Sequence, residues 1–103
     1  MAANSSLFAA PGTWLRCALH AHTTRSDGEL SPDDLVSLYE RAGFDVLAIT
    51  DHWVRTEAPS TDRLLVIPSS ELSCLLPGEA DGHLLAFGID EDPLEFVRTR
   101  LPK

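Results

Sequence analysis

Basic residues are scarce in this sequence. Lysine and arginine together number 8, against 16 aspartate and glutamate residues, which gives a formal net charge of -8 at pH 7. The chain has one lysine, Lys103, at its last position. Because a surface with this charge balance repels a phosphate backbone, we expect no direct nucleic-acid binding.

Cysteine is also scarce, and Cys17 and Cys74 lie far apart in the chain. The sequence has no Cys-x-x-Cys pair, which excludes a cysteine-rich structural zinc site and a dithiol redox motif. We expect both cysteines to be buried free thiols, because unpaired cysteine commonly packs as a small apolar residue. We expect Trp14 and Trp53 to pack in the core as well.

Long hydrophobic runs are absent. No segment approaches the roughly 20 apolar residues of a membrane span, and the first residues lack the pattern of a secretory leader. We therefore expect a cytoplasmic protein without membrane association. With 103 residues, the chain has room for one domain. We expect residues 1–12, which end in a Pro-Gly pair, to be a flexible arm and residues 13–103 to be the folded domain.

The rest of the chain alternates strand-like and helical segments. Four apolar runs predict strands, at residues 14–20, 44–50, 64–68 and 83–89. Between the first two, Ser31 predicts a helix N-cap, Pro32 suits the first helical position, and Gly43 predicts the end of the helix. The apolar residues of this helix repeat at helical spacing: Leu35, Leu38, Tyr39 and Ala42. Asp92 and Pro93 predict the start of a second helix.

The connections predict how these strands are arranged. The helix between the first two strands is a crossover, so these strands should be parallel neighbours. The linker between Glu71 and His83 has eleven residues, which favours a reversal and an antiparallel fourth strand. In the second helix, the residues that share an apolar face are Leu94, Val97 and Leu101.

All four histidines fall at strand ends: His20, His22, His52 and His83. Asp27 follows the first strand in a turn, and Glu71 lies just past the third strand. Taken singly, each residue has an ordinary explanation, such as strand alternation, a turn before Gly28 or a solvated acid. The predicted topology nevertheless brings four imidazoles and two carboxylates to one edge of the sheet, and this combination predicts a metal site.

Four separated motifs resemble, in the same order, the first motifs of the PHP (polymerase and histidinol phosphatase) superfamily: His-Ala-His-Thr with Ser-Asp-Gly at 20–28, Ile-Thr-Asp-His at 49–52, Glu71, and Gly-His at 82–83. The resemblance runs from about Arg16 to Ile89. It implies an α/β fold, the N-terminal part of a distorted (βα)7 TIM-like barrel with about four strands and two helices present. Residues 13–103 would then be a partial PHP-type domain, and the implied function is metal-dependent hydrolysis of phosphate esters.

The same resemblance implies two or three divalent ions (Zn, Mn or Fe) and six metal ligands: His20, His22, Asp27, His52, Glu71 and His83. Among them, Asp27, Glu71 and His52 are the expected catalytic residues, and the substrate is a small phosphorylated molecule.

Three further residues flank these motifs. We expect Asp51 to accept a hydrogen bond from a ligand imidazole and to orient it, with capping of the loop as the alternative role. Arg25 and Arg55 are candidates for contacts with a substrate phosphate.

The family's later ligand motifs, His-Pro and Asp-x-His, are missing from this sequence. We expect either the N-terminal part of a longer protein or a short chain that completes its site by self-association through an open sheet edge. Two other functions stay open: a non-catalytic metal-binding or structural module of the same family, and an amidohydrolase-type metal hydrolase. The second class also begins with His-x-His but commonly uses a bridging lysine, and Lys103 is the sole lysine here.

Overall fold

The computed structural model describes residues 6–100. Its strands and helices are β1 (Cys17–Ala21), β2 (Val46–Ile49), β3 (Leu65–Leu75), β4 (Asp81–Phe87), α1 (Ser6–Ala9), α2 (Pro32–Arg41) and α3 (Pro93–Arg100). The mixed α/β class, the four strands and the two expected helices are confirmed. A four-residue helix, α1, lies within the predicted arm, whose residues 1–5 fall outside the described part. The flexibility of that arm stays a prediction.

The four strands form a curled half-barrel in the order β1-β2-β3-β4. β1, β2 and β3 are parallel, and β4 returns antiparallel to β3. The predicted crossover and reversal are therefore both confirmed. Within residues 6–100 the sheet does not close into a barrel, so β1 and β4 are edge strands.

Helix α2 begins and ends where the sequence predicts. The Ser31 side chain accepts a hydrogen bond of 3.1 Å from the N–H of Asp34, and Pro32 occupies the first turn, where a helix needs no N–H donor. The chain leaves the helix at Gly43, whose φ of 84° suits glycine. These local signals define the ten-residue helix within the crossover between β1 and β2.

The core lies between α2 and the sheet. Both layers contribute buried apolar side chains: Ala21, Leu35, Val36, Leu47, Ile49, Leu64 and Val66. Leu47 and Ile49 are fully buried on the face of β2 that meets the helix. On α2 the buried stripe runs through Leu35 and Val36, whereas Leu38, predicted to share the apolar face, is exposed. The helix is thus rotated toward its Leu35–Val36 side.

Strand β3 is longer than the sequence predicts. Its apolar pattern indicates an end near Pro68, but β3 continues to Leu75 because its second half pairs with β4. Glu71 therefore lies inside a strand and not just past its end. β1 is shorter than predicted, since residues 14–16 precede it.

Several side chains expected in the core are exposed. Cys17 and Cys74 are free thiols as predicted, but both are exposed. Cys17 lies on an edge strand, and Cys74 lies in the outer half of the β3–β4 hairpin, where the side chains face solvent. Trp14 precedes β1 and is 78% exposed, while Trp53 is half-buried.

Helix α3 packs loosely. Leu94 and Val97 are both partly exposed, and Leu101 lies outside the described residues. Among residues 6–100 no helix has the length and apolar character needed to cross a membrane.

Candidate metal centre

An irregularity in β1 sets the direction of the first two histidines. Ala18 and Ala21 both pack against the core. They are three residues apart, but their partners on β2, Leu47 and Ile49, are two residues apart, so β1 carries one extra residue between them. Such an extra residue resets the alternation of side chains along a strand. His20 and His22 therefore lie on the opposite face of the sheet, with ring centroids 5.0 Å apart. We call this the site face.

The hairpin of β3 and β4 adds Glu71 and His83 to the site face. Ser73 lies opposite His83 in the antiparallel pair, and Glu71 precedes Ser73 by two residues, so the side chains of Glu71 and His83 share a face. Nδ1 of His83 lies 3.0 Å from Oε2 of Glu71. His52, just after β2, forms an isolated parallel bridge with Glu71. Backbone pairing thus brings His52 and β4 next to Glu71.

Glu71 is the centre of a first group of ligand atoms, formed with His20 and His22. Oε1 of Glu71 lies 3.1 Å from Nε2 of His22 and 3.4 Å from Nε2 of His20. Glu71 is only 3% exposed, and its Oε1 has no hydrogen-bond partner within residues 6–100. Two imidazole nitrogens and one buried carboxylate oxygen therefore lie within 4.8 Å of one another.

A second group consists of His22, Asp27 and His52. Oδ1 of Asp27 lies 3.2 Å from Nδ1 of His22, and Oδ2 lies 3.2 Å from Nε2 of His52. The two imidazole rings are 4.6 Å apart. His22 belongs to both groups, through Nε2 in the first and Nδ1 in the second.

A tight loop over residues 23–28 places Asp27 in the second group. The carbonyl of Thr23 accepts hydrogen bonds from the N–H groups of Ser26 (3.1 Å) and Gly28 (2.8 Å). A Cβ atom on Gly28 would lie 2.4 Å from the carbonyl oxygen of His22, which is far closer than van der Waals contact. The loop can close in this form only with glycine at position 28.

Asp51 ties this loop to the end of β2. Its fully buried carboxylate accepts hydrogen bonds of 2.6–2.7 Å from the Thr23 N–H and from three hydroxyl groups, those of Thr23, Ser26 and Thr56. Burial by itself would raise the pKa of Asp51, but the hydrogen bonds from Ser26, Thr23 and Thr56 outweigh it and hold this pKa below its ordinary value.

Asp51 is therefore connected to a ligand histidine only through the Ser26 hydroxyl. Within residues 6–100 its carboxylate contacts no imidazole, and the Ser26 hydroxyl that it holds lies 3.5 Å from Nδ1 of His22. The contacts of Asp51 match the loop-capping role that the sequence left as the alternative.

Thr50 contacts a predicted ligand directly, and sequence reasoning missed it. Its Oγ1 lies 2.8 Å from Nδ1 of His20. The signal that could have found Thr50 is its position: it follows β2 at the same edge as His20, two residues before His52.

The two arginines are already engaged within the fold. Arg55 donates from Nε to the carbonyl of Ile89 (2.5 Å) and from Nη1 to Glu57. Arg25 is exposed and donates from Nη1 to the carbonyl of Arg55 (2.9 Å). Arg55 thus joins the loop after β2 to the segment that follows β4. Among residues 6–100, Arg25 has guanidinium donors without a hydrogen-bond partner.

The donor set fits a divalent metal ion. Ligand atoms held about 2.0–2.1 Å from a tetrahedral zinc ion lie about 3.4 Å from one another, and the Glu71 oxygen lies 3.1 and 3.4 Å from its two imidazole nitrogens. A buried carboxylate oxygen without a hydrogen-bond donor is costly unless a cation neutralises it. Mixed imidazole and carboxylate donors suit Zn, Mn or Fe.

The fold and the site define an α/β domain with histidine and carboxylate clusters that could hold a metal ion. The chain belongs to the PHP domain family, whose family model matches residues 18–91. No curated protein matches the chain in sequence. Members of this family are typically hydrolases that bind divalent metals.

Proposed function

We propose that this chain carries part of a metal-dependent phosphoesterase, in which the half-barrel is the N-terminal part of a distorted (βα)7 TIM-like barrel. The observation that carries the proposal is the environment of Glu71. Its Oε1 is buried and lacks a hydrogen-bond donor within residues 6–100, while imidazole nitrogens face both of its oxygens. This arrangement suits divalent cations and not a hydrogen-bonded network.

Two or three divalent ions (Zn, Mn or Fe) would share the six ligands. His20, His22 and Oε1 of Glu71 would hold one ion, and Oε2 of Glu71 with His83 would reach a second. At the second group, Asp27 and His52 would hold a further ion.

When bound, these ions would lower the pKa of a water molecule and offset the charge of a phosphate group. Glu71 keeps the two sides of the site at a fixed spacing, because its two oxygens face different imidazoles. A small phosphorylated substrate would enter where Asp27, His83 and His20, the most exposed of these ligand side chains, meet solvent. Arg25, whose guanidinium keeps unused donors, is our candidate for binding the substrate phosphate. Arg55 is a weaker candidate because its guanidinium bonds within the fold.

Metal uptake is the first test. We expect elemental analysis of the purified chain to show Zn, Mn or Fe, and His20→Ala together with His52→Ala to remove most of it. Asp27→Ala should reduce uptake at the second group, whereas the matched control Asp62→Ala, at an exposed position, should not. A folded chain that takes up no divalent metal would contradict the proposal.

Phosphate release is the second test. We expect chelator-sensitive hydrolysis of p-nitrophenyl phosphate or its diester by a domain that contains this chain and a complete set of ligands. A complete domain that is loaded with metal but inactive on both esters would exclude phosphoesterase activity.

A non-catalytic metal-binding module is the second candidate. The exposure of three ligand side chains favours it for the chain by itself, since Asp27 is 65%, His83 60% and His20 52% exposed in residues 6–100. A site so open to water holds a metal ion more readily than it isolates a reaction from solvent. Tight metal uptake without any phosphate release, even from a complete domain, would support this alternative. The cytoplasmic location and the absence of nucleic-acid or membrane partners stay predictions.

A further inference from the structure

A buried hydroxyl group connects β2 to one of the ligand histidines. Thr50 is fully buried. Its Oγ1 lies 2.8 Å from Nδ1 of His20, 3.1 Å from the backbone nitrogen of Ala21 and 3.3 Å from the carbonyl oxygen of Ala21. These three contacts use the full capacity of a hydroxyl group, which donates once and accepts twice.

This capacity is consistent with one direction for each hydrogen bond. If Thr50 donates its hydroxyl hydrogen to the carbonyl of Ala21, its two lone pairs accept the N–H of Ala21 and the Nδ1–H of His20. Nε2 of His20 is then unprotonated and faces Oε1 of Glu71 at 3.4 Å. In the opposite tautomer an Nε2–H would point toward that oxygen. Because Oε1 of Glu71 has no hydrogen-bond partner within residues 6–100, this oxygen and an unprotonated Nε2 of His20 are both available to one cation.

We propose that Thr50 is a positioning residue that holds His20 in its Nδ1–H tautomer and so commits Nε2 of His20 to the metal ion. The inference rests on the proposed metal binding and deepens it. A neutral imidazole binds a metal through one nitrogen, and the hydrogen bond at the other nitrogen fixes both the tautomer and the ring orientation. Thr50 is suited to this role because it is anchored to the backbone of Ala21, the neighbour of His20.

Two measurements on the 103-residue chain test the proposal, with Zn²⁺ alone as the probe. The first is imidazole nitrogen NMR of the unchanged chain with zinc bound, which should show Nδ1 of His20 protonated and Nε2 bound to metal. The second is zinc titration calorimetry of Thr50→Val and Thr50→Ser. Loss of the hydroxyl in Thr50→Val should weaken zinc binding about 10- to 100-fold, and Thr50→Ser, which keeps the hydroxyl, should restore affinity close to that of the unchanged chain.

Thr56→Val is the matched control. It removes a hydroxyl that is equally buried but contacts Asp51 and no imidazole within residues 6–100. We expect this variant to lose stability and to keep the His20 tautomer and the zinc affinity of the first group.

Three outcomes would overturn the inference. The first is zinc bound through Nδ1 of His20. This outcome is measured on the unchanged chain, so the inference can be tested even if Thr50→Val does not fold. Equal zinc affinities of a folded Thr50→Val variant and the unchanged chain would also overturn the inference. If the unchanged chain binds no zinc at all, the proposed function fails, and this inference fails with it. Zinc binding that is insensitive to Thr50 contradicts the inference alone.

Discussion

Nε2 of His22 lies 3.1 Å from Oε1 of Glu71, a buried oxygen without a hydrogen-bond partner in residues 6–100. The other nitrogen of the same ring lies 3.2 Å from Asp27. The imidazole of His22 thus lies between two carboxylates, and the proposed metal ion would neutralise the inner one, that of Glu71. The energetic consequences of this relationship can be measured.

Replacing Glu71 with glutamine should separate stability from metal binding. Glutamine has nearly the same shape but no charge, so the metal-free chain should gain about 1–3 kcal/mol in unfolding free energy. The stabilisation that zinc gives to the unchanged chain should be lost in this variant. Chemical denaturation at a pH well above the ordinary pKa of imidazole, with and without zinc, measures both effects. Glu29→Gln, at an exposed position, is the control, and a metal-free Glu71→Gln variant less stable than the unchanged chain would contradict the argument.

The loop that carries Asp27 should not tolerate a side chain at position 28. In Gly28→Ala the new Cβ would meet the carbonyl oxygen of His22 at 2.4 Å, so the loop must move. We expect a loss of about 1–3 kcal/mol in unfolding free energy and weaker metal binding at the group of Asp27 and His52. Gly12→Ala is a matched control, because nothing lies within 4 Å of a Cβ at that position. Equal metal binding and stability of both variants would show that the loop is not closed as described.

Thr56→Val should reveal the strength of the hydrogen bonds to Asp51. The variant removes a bond of 2.6 Å to a fully buried carboxylate. Because hydrogen bonds to charged groups are worth more than neutral ones, we expect a loss of about 1.5–3 kcal/mol. Thr13→Val, at an exposed position, should change stability little. Urea denaturation of both variants measures the difference, and a loss no larger than that of Thr13→Val would mean that Asp51 is not held as tightly as its geometry indicates.

Asp51 should also make stability depend on pH. A carboxyl group whose pKa is lowered in the folded state contributes stability above its unfolded pKa of about 3.9, and this contribution is lost as the pH falls through the lower, folded-state pKa. The stability difference between the unchanged chain and Asp51→Asn should therefore be constant from about pH 7 to pH 5 and shrink below about pH 4. If the stability difference between these two chains grew as the pH fell, the effect would have the opposite sign and the prediction would be wrong.

The 103-residue chain should associate with itself through an open sheet edge. β4 is an edge strand within residues 6–100, and Leu84 on it is largely exposed. Unpaired edges with apolar side chains promote pairing between chains, and a lysine at such an edge prevents it. Sedimentation should show oligomers of the unchanged chain and a shift toward monomer in Leu84→Lys. The control, Leu38→Lys on the exposed side of α2, should not shift it, and a monomeric unchanged chain would exclude edge association.

Much of the fold could be predicted from the sequence because its signals are local. Ser31, Pro32 and Gly43 mark the limits of α2 through hydrogen bonding and backbone conformation within a few residues. The short connections then determined which strands are parallel. The nearness of His20, His22 and His52 could be predicted in the same way, because parallel strands joined by a crossover end at the same edge. The full set of six candidate ligands came from the resemblance to the PHP family.

What the tertiary structure decided depends on contacts between residues far apart in the chain. The length of β3, and with it the position of Glu71 inside a strand, depends on pairing with β4. The direction of His20 depends on an extra residue in β1 that is visible only against β2. Which hydroxyl groups meet Asp51 and Nδ1 of His20, and which apolar residues stay exposed, likewise depends on how separate segments pack. A one-dimensional pattern gives the chemical type of each side chain and its local spacing, whereas hydrogen bonds across about 30 residues require the folded chain to place both partners within 3 Å of each other.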